Sequence, residues 1–424
     1  MFDCFYIKEV KKMLKKILAL TITAIMLITL ASCGTAFADQ TTEQNVQPVI
    51  QTPAADNDSN QYNEDSVSSD DGISDTSDLF TKRDLEQTAD LSEAVYITVS
   101  DETTEMVTEA GVYVLSGSAK NFTLKVEADK EAKVQIVLDG VYVTNDSFPV
   151  IYVVSADKCF ITTTDSENSL EVTGTFKADG STNTDAVIYS KDDLVLNGTG
   201  TLEIYSSDNG ISCKDDLKIT GGTYKLSTVK DGIEANDSIA VYDGTFEIST
   251  SKDGLHSENS DDDTVGWIYI RDGSFTIKAS GDAIQGTTIV QIDGGSFVLT
   301  ASEGIEATYV QINGGDISIT SSDDGINASK KSRSYSTPTV EINGGTLKIV
   351  MGSGDTDAID ANGNIYVNGG YIDITAQVSS FDYDGSAQYN GGTIIINGTQ
   401  VDSIPQSMMI GGGGRMGQGG RKQF

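Results

Sequence analysis

Residues 230–257 read KDGIEANDSIAVYDGTFEISTSKDGLHS, which is one complete unit of a repeat followed by the opening of the next. The unit begins at Lys230-Asp231-Gly232-Ile233, and the next begins at Lys252-Asp253-Gly254-Leu255. Between them an apolar run ends at the Asp243-Gly244 turn. Behind that turn a second run alternates, with Phe246 and Ile248 on one face and Glu247 and Ser249 on the other. Alternation with period two marks a half-buried strand, and Asp-Gly steps favour tight turns.

The same opening step recurs at Asp208-Asn209-Gly210-Ile211, Asp282-Ala283-Ile284, Glu303-Gly304-Ile305, Asp324-Gly325-Ile326 and Asp357-Ala358-Ile359, so the bare unit is 21 or 22 residues. Two longer units carry polar insertions at 258–266 and 329–338. Every unit has a Gly-Gly or Asp-Gly turn followed by an alternating strand, as in Tyr224/Leu226, Phe275/Ile277, Phe297/Leu299 and Leu347/Ile349. Three short strands per unit sharing one inward face predict an all-β chain: a right-handed single-stranded parallel β-helix with three short strands per 21–22-residue coil.

The flanks divide by composition. Lys11, Lys12, Lys15 and Lys16 precede an apolar run over 17–30 that ends at Leu30-Ala31-Ser32-Cys33. This reads as a lipoprotein signal peptide over 1–32 with lipidation at Cys33, or as ordinary cleavage after Ala36-Phe37-Ala38. Met1 and Met13 are alternative starts. Residues 33–84 form an acidic linker expected to be disordered, 85–180 the N-terminal cap and first irregular coils, 181–405 the regular helix, and 406–424 a disordered Gly-rich basic tail. The expected place is therefore the extracellular face of the bacterial membrane, lipid-anchored, or else the medium.

The 424 residues carry a net charge of −35, which becomes −38 once a leader with five lysines and two acids is removed. Such a surface repels nucleic acid and anionic lipid heads, leaving the lipid as the one contact with membrane, and nothing in the sequence calls for an oligomer. Cys159 and Cys213 make no CxxC spacing and read as buried thiols, with a disulfide as the alternative.

The opening step sets one acid in each coil: Asp231, Asp253, Asp282, Glu303, Asp324 and Asp357, with Asp185 and Asp384 as looser members. Three residues on stand Glu234, His256, Gln285, Glu306, Asn327 and Asp360. Stacked coils place such acids about 4.8 Å apart, where like charges repel by roughly 1 kcal/mol in water and several times more near a protein surface. Two columns of hard oxygen donors suit calcium and suit zinc poorly. The expected ligands are Asp231, Glu234, Asp253, Asp282, Glu303, Glu306, Asp324, Asp357 and Asp360. The competing reading is an Asx-type corner whose acids face solvent.

A single histidine, His256, and the lack of a nucleophile elbow leave hydrolytic triads and zinc catalysis without their parts. Lys230 and Lys252 precede column acids, and a lysine beside calcium is a candidate base for a proton α to a uronate carboxylate. Trp267, Tyr269 and Tyr366 fall on outward positions of the second strand and are candidates for stacking on sugar rings.

The repeated DGIEA, DGLHS, EGIEA and DDGINA steps, the INGG and IDGG turns, the entry segment Val137-Leu138-Asp139-Gly140-Val141 and the corner Glu167-Asn168-Ser169-Leu170 together resemble one family over about residues 111–399. It is the calcium-binding, polysaccharide-lyase-like β-helix family of carbohydrate-binding domain-containing proteins, of the clostridial type that binds cellulose and acidic pectic polymers. The resemblance implies a right-handed parallel β-helix that holds Ca2+ and adheres to plant-type polysaccharide, without an established cleavage activity. Ala283, Ala358 and Asn209 depart from the repeated pattern. The function expected first is therefore non-catalytic polysaccharide binding at the cell surface. A calcium-dependent pectate-type lyase and a passive stalk or adhesin stand behind it, and the question of an enzyme stays open.

Overall fold

Strands of three to six residues follow one another from Leu194 onward, and until the last coil each pairs in parallel, in register, with the third strand after it. Leu194–Gly198 pairs with Asp216–Ile219, Thr201–Ser206 with Thr223–Thr228, and Asn209–Cys213 with Ile233–Ala235. The chain thus builds three columns. The first contains the opening steps, the second ends in the glycine turns, and the third alternates behind them. The computed structural model describes residues 72–73, 76–353 and 356–406, all within one unit, Ser68–Phe424. The expected signal peptide, Cys33, most of the expected linker and all but the first residue of the expected tail lie outside the described residues.

The first column is a sheet of 12 strands from Thr103–Val107 to Ser379–Tyr383. The other two are joined at their start by two long strands, Gly111–Lys120 and Lys133–Asn145. Lys133–Asn145 pairs with Lys158–Thr163 through its first half and with Glu167–Val172 through its second. The one antiparallel strand pair among the described residues closes the far end, where Thr399–Val401 folds back on Thr393–Ile396. Asn397 and Gly398, with φ of 51° and 77°, make that turn in the left-handed conformation two-residue hairpins need.

Register makes the core a set of like-on-like stacks. Ile211, Ile233, Leu255, Ile284, Ile305, Ile326 and Ile359 form one buried row beneath the first column. Beneath the third, Tyr224, Phe246, Phe275 and Phe297 stack at 5.4, 4.5 and 4.6 Å between centroids, the last two pairs within 3° of parallel. Aromatic burial of this kind carries much of the hydrophobic stabilisation. The glycine turns let the backbone pass close to its neighbour: at Gly295, φ 102°, a Cβ would meet the Gly273 carbonyl oxygen at 2.9 Å.

Two features depart from the sequence reading. Residues 79–87, placed in or beside the linker, lie against the second column. Asp84 is buried between Lys158 and Lys218, each at 3.6 Å. Arg83 sits over the ring of Phe160, Phe80 packs edge-on to Tyr242, and Asn197 Nδ2 donates to the Glu86 carbonyl at 3.0 Å. Their composition is polar, so no apolar period announced them. Second, the two insertions meet each other, with Arg333 Nε 2.9 Å from Asp263 and Ser332 Oγ donating to the Asp263 carbonyl at 2.5 Å. Cys159 and Cys213 are, as read, separate buried thiols rather than a disulfide, and burial pushes the Cys159 thiol up to about 12.

Candidate functional site

Each strand of the first column begins at or just after its acid, so the pairing that aligns Ile233 with Leu255 and Leu255 with Ile284 also aligns Asp231, Asp253 and Asp282. The acids first serve the backbone. Asn209 Oδ1 accepts the N–H of Asp231 at 2.9 Å, Asp231 Oδ1 that of Asp253 at 3.1 Å, Asp253 Oδ1 that of Asp282 at 2.8 Å, and Asp324 Oδ1 that of Asp357 at 3.1 Å. One carboxylate oxygen of Asp231, Asp253 and Asp324 is therefore committed to the next coil, and the other is left for chemistry.

The members differ in what meets that second oxygen. Asp231 Oδ2 lies 2.8 Å from Lys252 Nζ and 3.4 Å from His256 Nδ1, and Asp253 Oδ2 lies 3.7 Å from both. Burial opposes ionisation of Asp231, but the hydrogen bonds from His256 and Lys252 outweigh it and hold the carboxyl below its usual range. For His256 burial likewise disfavours charge, yet Asp231 and Glu258 raise the imidazole to about 9. Glu234 accepts from Asn209 Nδ2 and Ser212 Oγ and faces Lys214 at 3.3 Å. This end of the column is neutralised from within.

Further along, the balance changes. One oxygen each of Asp282, Glu303 and Glu306 lies within 4.8 Å of the other two. Lys331 Nζ at 2.7 Å and Gln285 Nε2 at 2.9 Å reach Glu306, and Asn327 Nδ2 reaches Glu303 at 3.0 Å. Burial, then the neighbouring acids, push Asp282 up to about 8 and Glu303 up to about 7. Burial and the same crowding push Asp324 up to about 6 and Asp360 up to about 7, the latter beside Asp324, Asp357 and Asp382. Asn327 Oδ1, buried in the same row, has no hydrogen-bond partner among the described residues. An oxygen-only donor set with an idle buried carbonyl oxygen fits a hard divalent cation.

Asp185 and Asp384 do not belong to the column. Ala186 aligns with Asn209, and Ser379 aligns with Asp357. A second acidic group, Asp193, Asp215 and Asp216, forms at the next corner, with burial and mutual repulsion raising Asp215 to about 6. The twin steps Lys191-Asp192-Asp193-Leu194 and Lys214-Asp215-Asp216-Leu217 were its visible signal.

The two candidate bases are both occupied. Lys230 Nζ lies 2.9 Å from Asp208, and Lys252, although burial disfavours its charge, is held protonated by Asp231. A protonated, paired ammonium is a poor base at neutral pH. Among the candidate sugar contacts, Trp267 and Tyr366 are half-buried. Tyr269 is buried, its hydroxyl donating to Asp293 at 2.8 Å and its ring 6.4 Å from Phe80, so it is closed to stacking because residues 79–87 cover this face.

A family profile described as carbohydrate-binding domain-containing protein matches residues 101–358 and 303–409. A carbohydrate-binding domain-containing protein of Acetivibrio thermocellus is 43% identical over 193 residues, 44% of this chain and 67% of that protein. A solved structure, the polysaccharide lyase-like protein from C. thermocellum as its gadolinium derivative, shares 27% identity with a TM-score of 0.45, over 53% of this chain and 93% of that one.

Proposed function

We propose that this chain, which belongs to the family of carbohydrate-binding domain-containing proteins, binds polysaccharide without cleaving it, as a calcium-stabilised protein of the bacterial cell surface. Family membership supports the carbohydrate, and the crowded carboxylates support the metal. The third-strand pairing supports a three-sided β-helix, and the general handedness of parallel crossovers supports a right-handed one.

The observation that carries the metal is the cluster Asp282, Glu303 and Glu306 with the idle oxygen of Asn327. Those four residues would hold Ca2+, and waters would complete its six to eight ligands. Asp324, Asp357 and Asp360 extend the same rows and are the next candidates. Asp231, Asp253 and Glu234 contribute less, since Lys252, His256 and Lys214 already balance them. When bound, the ion neutralises like charges that otherwise oppose one another across successive coils. The leader and Cys33 support lipid anchorage at the outer face of the membrane, and secretion is the alternative.

The test is retention of the purified protein on a panel of insoluble polysaccharides, with calcium or with chelator. The reading expects retention on at least one glycan and a lower thermal midpoint in chelator. Failure to bind every glycan would leave a passive stalk. Release of unsaturated, UV-absorbing uronides would make the protein a lyase.

A further inference from the structure

The sequence candidates for sugar contact all lie on the second column, where Tyr269 is buried, residues 79–87 cover the outer surface from Lys158 to Tyr269, and Trp267 and Tyr366 are half-buried. Among the described residues, the third column has no such cover at its centre. There a groove of about 410 Å³ runs across successive strands, lined among others by Tyr205, Lys225, Glu247, Ser249, Thr276 and Lys278. Tyr205 is 45% exposed, although a ring gains by being covered.

A second ring lies on the same face. Tyr142, 46% exposed, aligns with Ser169, which aligns with Glu203, and Glu203 is the outward neighbour of Tyr205 on its strand. The two tyrosines are thus two coils apart, roughly 10 Å along the stack. Between and beside them stand donors and acceptors: Glu203, with Lys225 3.2 Å away, then Glu247, Ser227 and Ser249. Exposed rings flanked by alternating hydroxyl, ammonium and carboxylate groups match the two characters of a sugar, an apolar ring face and an edge of hydroxyls.

The charge selects among glycans. Lys225 is balanced by Glu203, and the groove belongs to a chain of net charge −35, whose field opposes the approach of a polyanion. A neutral chain meets no such barrier. We infer that the outer face of the third column, from Tyr142 to the groove at Tyr205 and Lys278, is the glycan-binding surface, and that it takes a neutral polysaccharide. The inference rests on the carbohydrate-binding reading and adds its place and its ligand class.

The experiment compares the full-length protein with Tyr205→Ala, Tyr142→Ala/Tyr205→Ala and Tyr366→Ala, in calcium. Neutral probes are insoluble cellulose, xylan and mannan, and polygalacturonate in an affinity gel is the anionic probe. The expected result is retention of the parent protein on a neutral glycan, weakened roughly tenfold by Tyr205→Ala and further by the double variant. Thermal midpoints should be unchanged, because both rings are half exposed, and Tyr366→Ala should bind as the parent does. Equal retention of the double variant would overturn the surface. Retention on polygalacturonate alone would overturn the ligand class. A parent protein retained by no probe would remove the carbohydrate-binding reading itself.

Discussion

Asp231 Oδ1 accepts the backbone N–H of Asp253, one coil further along the stack, at 3.1 Å. Asp231, like Asp253 and Asp324, is therefore both a structural acceptor and a charge held over its neighbour. The two roles separate along the column. Lys252 and His256 satisfy the charge at Asp231 and Asp253, whereas Asp282, Glu303 and Glu306 crowd one another.

Asp253→Ala removes the acceptor for the Asp282 N–H and leaves that part-buried donor unpaired. It is expected to lower stability by about 1–3 kcal/mol, and Asp253→Asn, which keeps an oxygen there, by clearly less. Urea unfolding of the two variants against the parent protein measures the difference.

The pH dependence of the metal-free protein follows from the raised groups. Asp282 rises from 3.8 to about 8 on folding, so its folded form favours the proton and stability falls as pH climbs through that window. His256 rises from 6.5 to about 9, so what it contributes is complete below 6.5 and lost as pH passes 9. Both act in the same direction. The thermal midpoint in chelator should decline between pH 5 and 9, Asp282→Asn should flatten the lower part of that decline, and calcium should flatten it in the parent protein.

Phe275 sits in the middle of the ring stack, 4.5 Å from Phe246 and 4.6 Å from Phe297. Phe275→Ala should cost about 3–5 kcal/mol, more than an outward change such as Thr276→Ala on the same strand. Chemical denaturation reads both. Equal effects would mean that the stack is not central to the core.

Asp84→Ala removes the buried carboxylate between Lys158 and Lys218, leaving Lys158 to Asp193 and Lys218 to the Leu79 carbonyl, and should loosen residues 79–87 from the second column. Amide hydrogen exchange in that segment should quicken roughly tenfold or more, with exchange in Phe246 and Ile277 unchanged.

Much of the architecture was legible because the repeat is written directly into the residues. A constant interval between Asp231-Gly232-Ile233 and its successors sets register, and register sets the acid rows, the isoleucine row and the ring stack. What escaped lacks a period. Residues 79–87 bind through Asp84, Arg83 and Phe80, a constellation that only the folded surface makes meaningful. Tyr269 is outward by parity, yet parity cannot show that Phe80 packs near it. The coil step identified the acids but not that Lys252 and His256, from the next coil, would turn inward on Asp231. The contact between insertions 258–266 and 329–338 joins residues some seventy positions apart and has no local signature.

Acids stacked coil upon coil should hold a divalent cation, and the decisive measurement is calorimetric titration of calcium into the metal-stripped protein. Saturable binding at a fixed stoichiometry is expected, weakened by Asp282→Asn/Glu303→Gln and left intact by Glu234→Gln. Heats no larger than dilution, or binding indifferent to Asp282 and Glu303, would contradict it.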